Sequence, residues 1–140
     1  MTNDFANWLA QNGLVEAFTT SAGDALYTNR EMGFGVLKNL GDYSVHSFYL
    51  DDIIEFKTYD DEHIVAEWNC MSTWRVYPRS TSHSTNEVYM KIRFRNMLEV
   101  RLQIFRATHG NISRSSYDHV NLINYACQIS QIVYNCANKL

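Results

Sequence analysis

Val88-Tyr89-Met90-Lys91-Ile92-Arg93-Phe94-Arg95-Asn96-Met97-Leu98-Glu99-Val100-Arg101-Leu102-Gln103-Ile104 is the stretch that decides the fold class. Val88, Met90, Ile92 and Phe94 alternate with Tyr89, Lys91, Arg93 and Arg95. After a turn around Asn96-Met97, Val100, Leu102 and Ile104 alternate with Arg101 and Gln103. Successive side chains of a strand point to opposite faces, so both arms carry one apolar and one wet face. The stretch predicts an antiparallel hairpin with its apolar side on a core.

Upstream, short β-branched and aromatic segments are separated by turn residues. Strands are expected at Ala25–Thr28, Phe34–Leu37, Tyr43–Leu50, Ile53–Tyr59 and Ile64–Asn69, with Asp60-Asp61-Glu62 as a hairpin tip. Met71 to Pro78 extends the sheet, with Trp74, Val76 and Tyr77 available for packing. Arg79 to Asn86 is polar throughout and is expected to be a mobile loop. Downstream, a helix from about Ser116 to Asn138 follows from apolar residues at three- and four-residue spacing, among them Ile123, Ala126, Ile129 and Val133. Ser113, Ser115 and Ser116 are candidate N-caps, and Asp118 suits the first turn. At the other end, Asp4 to Gln11 reads as a short amphipathic helix closed by Asn12-Gly13, and Leu14 to Phe18 reads equally as helix or extended chain.

The expected architecture is α+β: an antiparallel, strongly twisted sheet or half-barrel packed against a long C-terminal helix, with a short N-terminal helix. The 140 residues contain neither linker nor repeat and predict one domain, with a core over 25–133 and a helical extension over 1–18. At 46% hydrophobic and 14% aromatic, the chain can build a core without disulfides or a metal. No run of roughly 18 apolar residues occurs, so no membrane span is expected. The start lacks a basic region followed by an apolar stretch, and the expectation is a cytoplasmic protein. Three cysteines without a CxxC spacing agree with a reducing compartment, and Cys127 and Cys136 fall on opposite faces of the helix.

Charge is distributed unevenly. Residues 1–67 hold 3 Lys/Arg and 12 Asp/Glu, and residues 68–140 hold 9 and 3. The plainest expectation is that the two halves attract each other within one fold; self-association through the same halves is the alternative.

Phe48-Tyr49-Leu50-Asp51-Asp52-Ile53-Ile54-Glu55-Phe56, followed by an acidic hairpin tip, resembles a stretch of small bacterial pleckstrin-homology-like domains. Those domains occur beside short SHOCT segments and in phage and prophage genes. Lys91 through Ile104, then Ser115-Ser116-Tyr117 opening a helix, is similar to their final hairpin and terminal helix. The resemblance spans about Ala25 to Val133. It departs at Trp68-Asn69-Cys70-Met71-Ser72-Thr73-Trp74, where the family often has a glycine-rich stretch. It implies an architecture and no shared activity.

The chain has no G-x-S-x-G, no phosphate-binding glycine loop and no H-E-x-x-H, so neither catalysis nor a cofactor is expected. His46, His63, His83, His109 and His119 show no ligand spacing and are read as surface histidines, which leaves no metal site. Two surfaces stand out. Asp51, Asp52, Glu55, Asp60, Asp61, Glu62 and Glu67 form a candidate acidic interaction surface, and Tyr89, Lys91, Arg93, Arg95 and Arg101 a candidate basic one. The basic residues suit a phosphate or a stacked base, and also a solvated face with cross-strand pairs such as Glu99 with Arg93 or Arg95.

The first functional expectation is a non-enzymatic protein-interaction module of bacterial or prophage origin, its partner another protein or a second copy in a homo-oligomer. An exposed sheet edge is a further docking place. The alternative is a phage-encoded inhibitor of a host defence nuclease, of anti-CRISPR type, using the acidic surface. Nucleic-acid binding through the basic face ranks below both.

Overall fold

The computed structural model describes residues 2–140, with side chains from residue 4 onward. Helix α1 (Thr2–Gln11) is followed by strands β1 (Val15–Thr19), β2 (Ala25–Asn29), β3 (Phe34–Lys38) and β4 (Val45–Tyr49). A single 3₁₀ turn (Leu50–Asp52) leads to β5 (Ile53–Asp60) and β6 (His63–Asn69). Two short pieces, β7 (Arg75–Val76) and β8 (Ser84–Thr85), precede the long β9 (Glu87–Phe94) and β10 (Glu99–Arg106), and the short β11 (Ile112–Ser113) follows. Helix α2 (Tyr117–Asn138) ends the chain. The fold is α+β as expected, with antiparallel sheets that do not close into a barrel.

The strands form two main sheets. One is a meander, β1-β2-β3-β4; the other has the order β10-β9-β5-β6-β7, and a small ladder joins β11 to β8. The 3₁₀ turn makes the break: Leu50 turns inward to 3% exposure and donates its N–H to the Gly33 carbonyl, so the chain leaves the first sheet there. The extension expected to be helical to residue 18 is helical only to Gln11. Gly13, at φ +65, supplies the left-handed conformation that closes α1, and β1 then pairs with β2.

Alternation decides what each sheet buries. In β3, Leu37 points into the main core and Val36 to the opposite face, where Leu9 of α1 and Leu14 just beyond it cover Val36; Leu37 and Val36 are fully buried. In β9 and β10, Val88, Met90, Ile92, Phe94, Val100, Leu102 and Ile104 join Phe18, Leu26 and Leu37 of the first sheet, with Phe48 packed against Phe94 at 4.7 Å. Helix α2 lies over β5 and β6 and adds Ile123, Ala126, Ile129, Val133 and Cys136. Its N-cap is Ser116, whose hydroxyl accepts the His119 N–H. Tyr117, which opens the helix, is 86% exposed.

The seam between sheets is made by polar groups from the β1–β2 and β3–β4 turns. Asp24 is buried and accepts the N–H groups of Gln103 at 2.7 Å and Leu40 at 2.8 Å. Thr20, Ser21 and Asn39 donate to the β10 carbonyls of Gln103, Ile104 and Arg101. These contacts cover the free edge of β10, and the opposite edge of that sheet is the two-residue β7. On that side β7 pairs with β6 at Ala66 and Glu67, and the Tyr77 N–H donates to the Val65 carbonyl.

Candidate functional site

The register of β5, β9 and β10 places the predicted basic residues on one face. Lys91 has Arg101 directly opposite on β10 and Lys57 directly opposite on β5. Like charges directly opposite one another in a sheet are destabilising, by roughly 0.2–1 kcal/mol per pair. Among the described residues neither lysine forms an ion pair. Glu67, opposite Lys57 on β6, is turned to the Tyr77 hydroxyl, 2.5 Å away. Lys57, in the acidic half of the sequence, completes the row; the β5 alternation of Glu55, Lys57 and Tyr59 against Phe56 and Thr58 was the signal for it.

Beside this row stands an aromatic stack. Tyr89 lies opposite Tyr59, their rings 5.1 Å apart and nearly parallel, and the Arg101 guanidinium sits 3.7 Å from the Tyr89 ring centre on the β10 side. Tyr89 is therefore enclosed between Tyr59 and Arg101, and no base can stack on it. Burial pushes the Tyr89 hydroxyl above the usual tyrosine range against the pull of Arg101, so the group stays neutral.

The arginines of this face are partly neutralised. Arg93 lies 3.8 Å from Glu99, the expected cross-strand pairing, and 3.8 Å from Glu55. Arg101 meets Glu87 at 2.6 Å. Arg95 does not join the patch: β9 ends at Phe94, and Arg95 turns away in the hairpin loop to Asp52, at 3.6 Å, and the Asp51 carbonyl.

The seven carboxylates expected to form an acidic surface are dispersed. Asp51 pairs with Lys139 at 3.3 Å, Asp52 with Arg95 and Glu55 with Arg93. Asp60 is 1% exposed and Asp61 largely covered. Glu62 projects furthest into solvent, beside His63 at 3.1 Å, and Asp51 is also exposed. The charge asymmetry of the sequence is partly met inside the fold, where Asp51, Asp52, Glu55, Asp60 and Asp61 of the acidic half pair with Lys139, Arg95, Arg93 and Arg114 of the basic half.

Asp60 belongs to a buried network that the sequence did not disclose. Its carboxylate accepts the Thr85 hydroxyl at 2.5 Å and His119 Nε2 at 2.9 Å, with Arg114 Nε at 3.3 Å. Arg114 also reaches Asp61 at 3.2 Å and the Ser82 carbonyl at 3.1 Å. Asp61 in turn accepts the N–H groups of Asn86 and Glu87. On the far side of the ring, His119 Nδ1 lies 2.9 Å from Arg79 Nη1. A guanidinium only donates, so Nδ1 accepts, and the imidazole carries its proton on Nε2, directed at Asp60. Both ring nitrogens are occupied, and the dyad has no open face toward a substrate.

This network corrects two sequence expectations. His119 is fully buried, not a surface histidine, and the 79–86 segment is anchored through Arg79, Ser82 and Thr85. Two signals pointed to it. The β5 alternation that buries Phe56 and Thr58 carries Asp60 inward as well, and His119 precedes Ile123 by four residues on the apolar stripe of α2. Nothing in the sequence pointed to Arg114.

Two concave regions complete the surface. A groove of about 950 Å³ runs along β10 beneath the β3–β4 turn, with Leu40, His46, Val100, Arg101, Phe105 and Arg106 in its wall. A smaller cleft of about 510 Å³ lies between Trp68, Trp74 and Tyr134, with Asp51 and Arg95 at its rim. Among the described residues no cluster of three His, Cys, Asp or Glu is placed to hold a metal ion, and no helix is long and apolar enough to cross a membrane. Cys70, Cys127 and Cys136 are free thiols. No protein-family model matches the chain, and no curated protein or solved structure shows significant similarity to it.

Proposed function

We propose that this chain is a non-enzymatic protein-interaction module whose contact surface is the outer face of the five-stranded sheet. The observation that carries this reading is the row Arg101–Lys91–Lys57. Three cations stand in direct register on adjacent strands; Arg101 is paired with Glu87, while Lys57 and Lys91 lack, among the described residues, the ion pair that an anionic partner would supply. The buried Asp60–His119 pair supports a role in folding, because Arg79 occupies the position where a substrate would have to approach. The pleckstrin-homology-like reading and its bacterial or prophage setting rest on the resemblance of the sequence stretches from Phe48 to Phe56 and from Lys91 to Ile104. A nuclease inhibitor acting through acidic mimicry has little support, because its carboxylates are paired or buried.

The test is capture of partners from bacterial lysate by the native chain and by the Lys57→Glu/Lys91→Glu variant side by side, with the fold of both checked by circular dichroism. A partner recovered by the native chain and lost by the variant is the expected result. Equal recovery by both would remove the sheet face from consideration.

A further inference from the structure

We infer that the partner element is an extended acidic peptide segment carrying an apolar side chain. The acidic residues would lie across the row Lys57–Lys91–Arg101, and the apolar one would enter the groove along β10. This rests on the sheet-face reading above and adds the chemistry of the occupant. The link between the two regions is Arg101, which both ends the cation row and lines the groove with Leu40, Val100 and Phe105. Leu40 is 46% exposed at the groove lip, an apolar side chain left without cover beside a charged surface.

Three observations favour a peptide over a nucleic acid. The Tyr89 ring is enclosed by Tyr59 and Arg101, which removes the stacking platform that single-stranded nucleic acids use. Glu55, Glu87 and Glu99 surround the cations on the same face and would repel a continuous chain of phosphates, whereas a peptide can place one or two carboxylates between them. The groove wall is partly apolar, which suits an aliphatic or aromatic side chain. The peptide does not add a strand to β10, whose carbonyls already accept from Thr20, Ser21 and Asn39. It is held by side chains, crossing strands spaced about 4.8 Å apart.

The experiment is selection of a yeast-displayed library of random peptides on the full chain at low salt. Selected peptides and a single-stranded oligothymidine are then titrated by fluorescence anisotropy against the native chain, Lys57→Glu/Lys91→Glu and Leu40→Ser. The expected result is enrichment of acidic peptides with an apolar residue, weakened about tenfold or more by the double charge reversal and also weakened by Leu40→Ser. Selected peptides without acidic bias, or indifferent to Leu40→Ser, overturn the peptide inference. Oligothymidine binding that the charge reversal abolishes, with no acidic peptide selected, overturns it as well while leaving the sheet face as the contact surface. Binding to either probe that ignores the charge reversal, or no saturable binding below about 1 mM, overturns both readings.

Discussion

Arg114 Nε lies 3.3 Å from Asp60 Oδ2, and both side chains are 2% exposed. Asp60 closes β5 and Arg114 immediately follows β11, so this pair ties the tip of the β5–β6 hairpin to the entrance of α2. Asp61, bound to the same guanidinium, holds the backbone entering β9. Replacing Arg114 with Met leaves Asp60 without its buried counter-charge and Asp61 without its Arg114 ion pair. Loss of one partner of a buried ion pair costs about 3–5 kcal/mol. Urea denaturation should show a loss of that size, a large fraction of the stability of a domain this small. A loss below about 1 kcal/mol would mean that the network is incidental to folding.

Lys91→Glu should make the free protein more stable. The new carboxylate would stand opposite Arg101 and Lys57, exchanging two repulsive cross-strand pairs for two attractive ones. At roughly 0.2–1 kcal/mol per pair, the thermal midpoint should rise by a few degrees at low salt, and the gain should shrink as salt is added. The same change should weaken partner binding. A destabilised variant would contradict the account of the cation row.

Thr58 and Ser130 face each other across the β5–α2 interface at 2.7 Å, both fully buried. The Ser130 hydroxyl donates to the Ala126 carbonyl, so its oxygen accepts from Thr58. Ser130→Ala strands the Thr58 hydroxyl and should cost about 1–3 kcal/mol. Adding Thr58→Val removes the stranded group, and the double variant should recover most of that loss in a double-mutant cycle. Additive losses would show that the two hydroxyls do not depend on each other.

The three thiols should separate by reactivity. Burial raises Cys127 and Cys136 above the usual thiol range, with Arg30 partly opposing the rise at Cys136, while Cys70 is exposed. A raised thiol holds less of the reactive thiolate at a given pH and gains it only as pH rises further. Mass spectrometry of iodoacetamide-treated folded protein near neutral pH should find Cys70 labelled first and Cys136 last. Comparable rates for all three would mean that α2 opens readily.

Much of the architecture was legible because period and composition are local. The alternation from Val88 to Ile104 identified a hairpin and its wet face, and that face is where Lys91 and Arg101 stand. The apolar stripe of α2 placed Ile123, Ala126, Ile129 and Val133 in the core. The candidate surfaces were legible only in part. Tyr89, Lys91, Arg93 and Arg101 are brought together because they share two adjacent strands. The acidic residues lie on β5, β6 and the connecting turns, and their partners come from distant parts of the chain.

By itself the sequence determined the fold class, which face of each long strand is wet, and that α2 must be covered. Each follows from side-chain direction within a single element. Tertiary structure alone decided that β9 pairs with β5, which puts Lys57 against Lys91. It also decided that Asp60 meets Arg114 and His119, and that the chain divides into two sheets at Leu50. Alternation states which way a residue points and carries no information about which segment will lie opposite. That choice depends on how distant strands close on a shared core, where burial outweighs any preference held by the charged residues themselves.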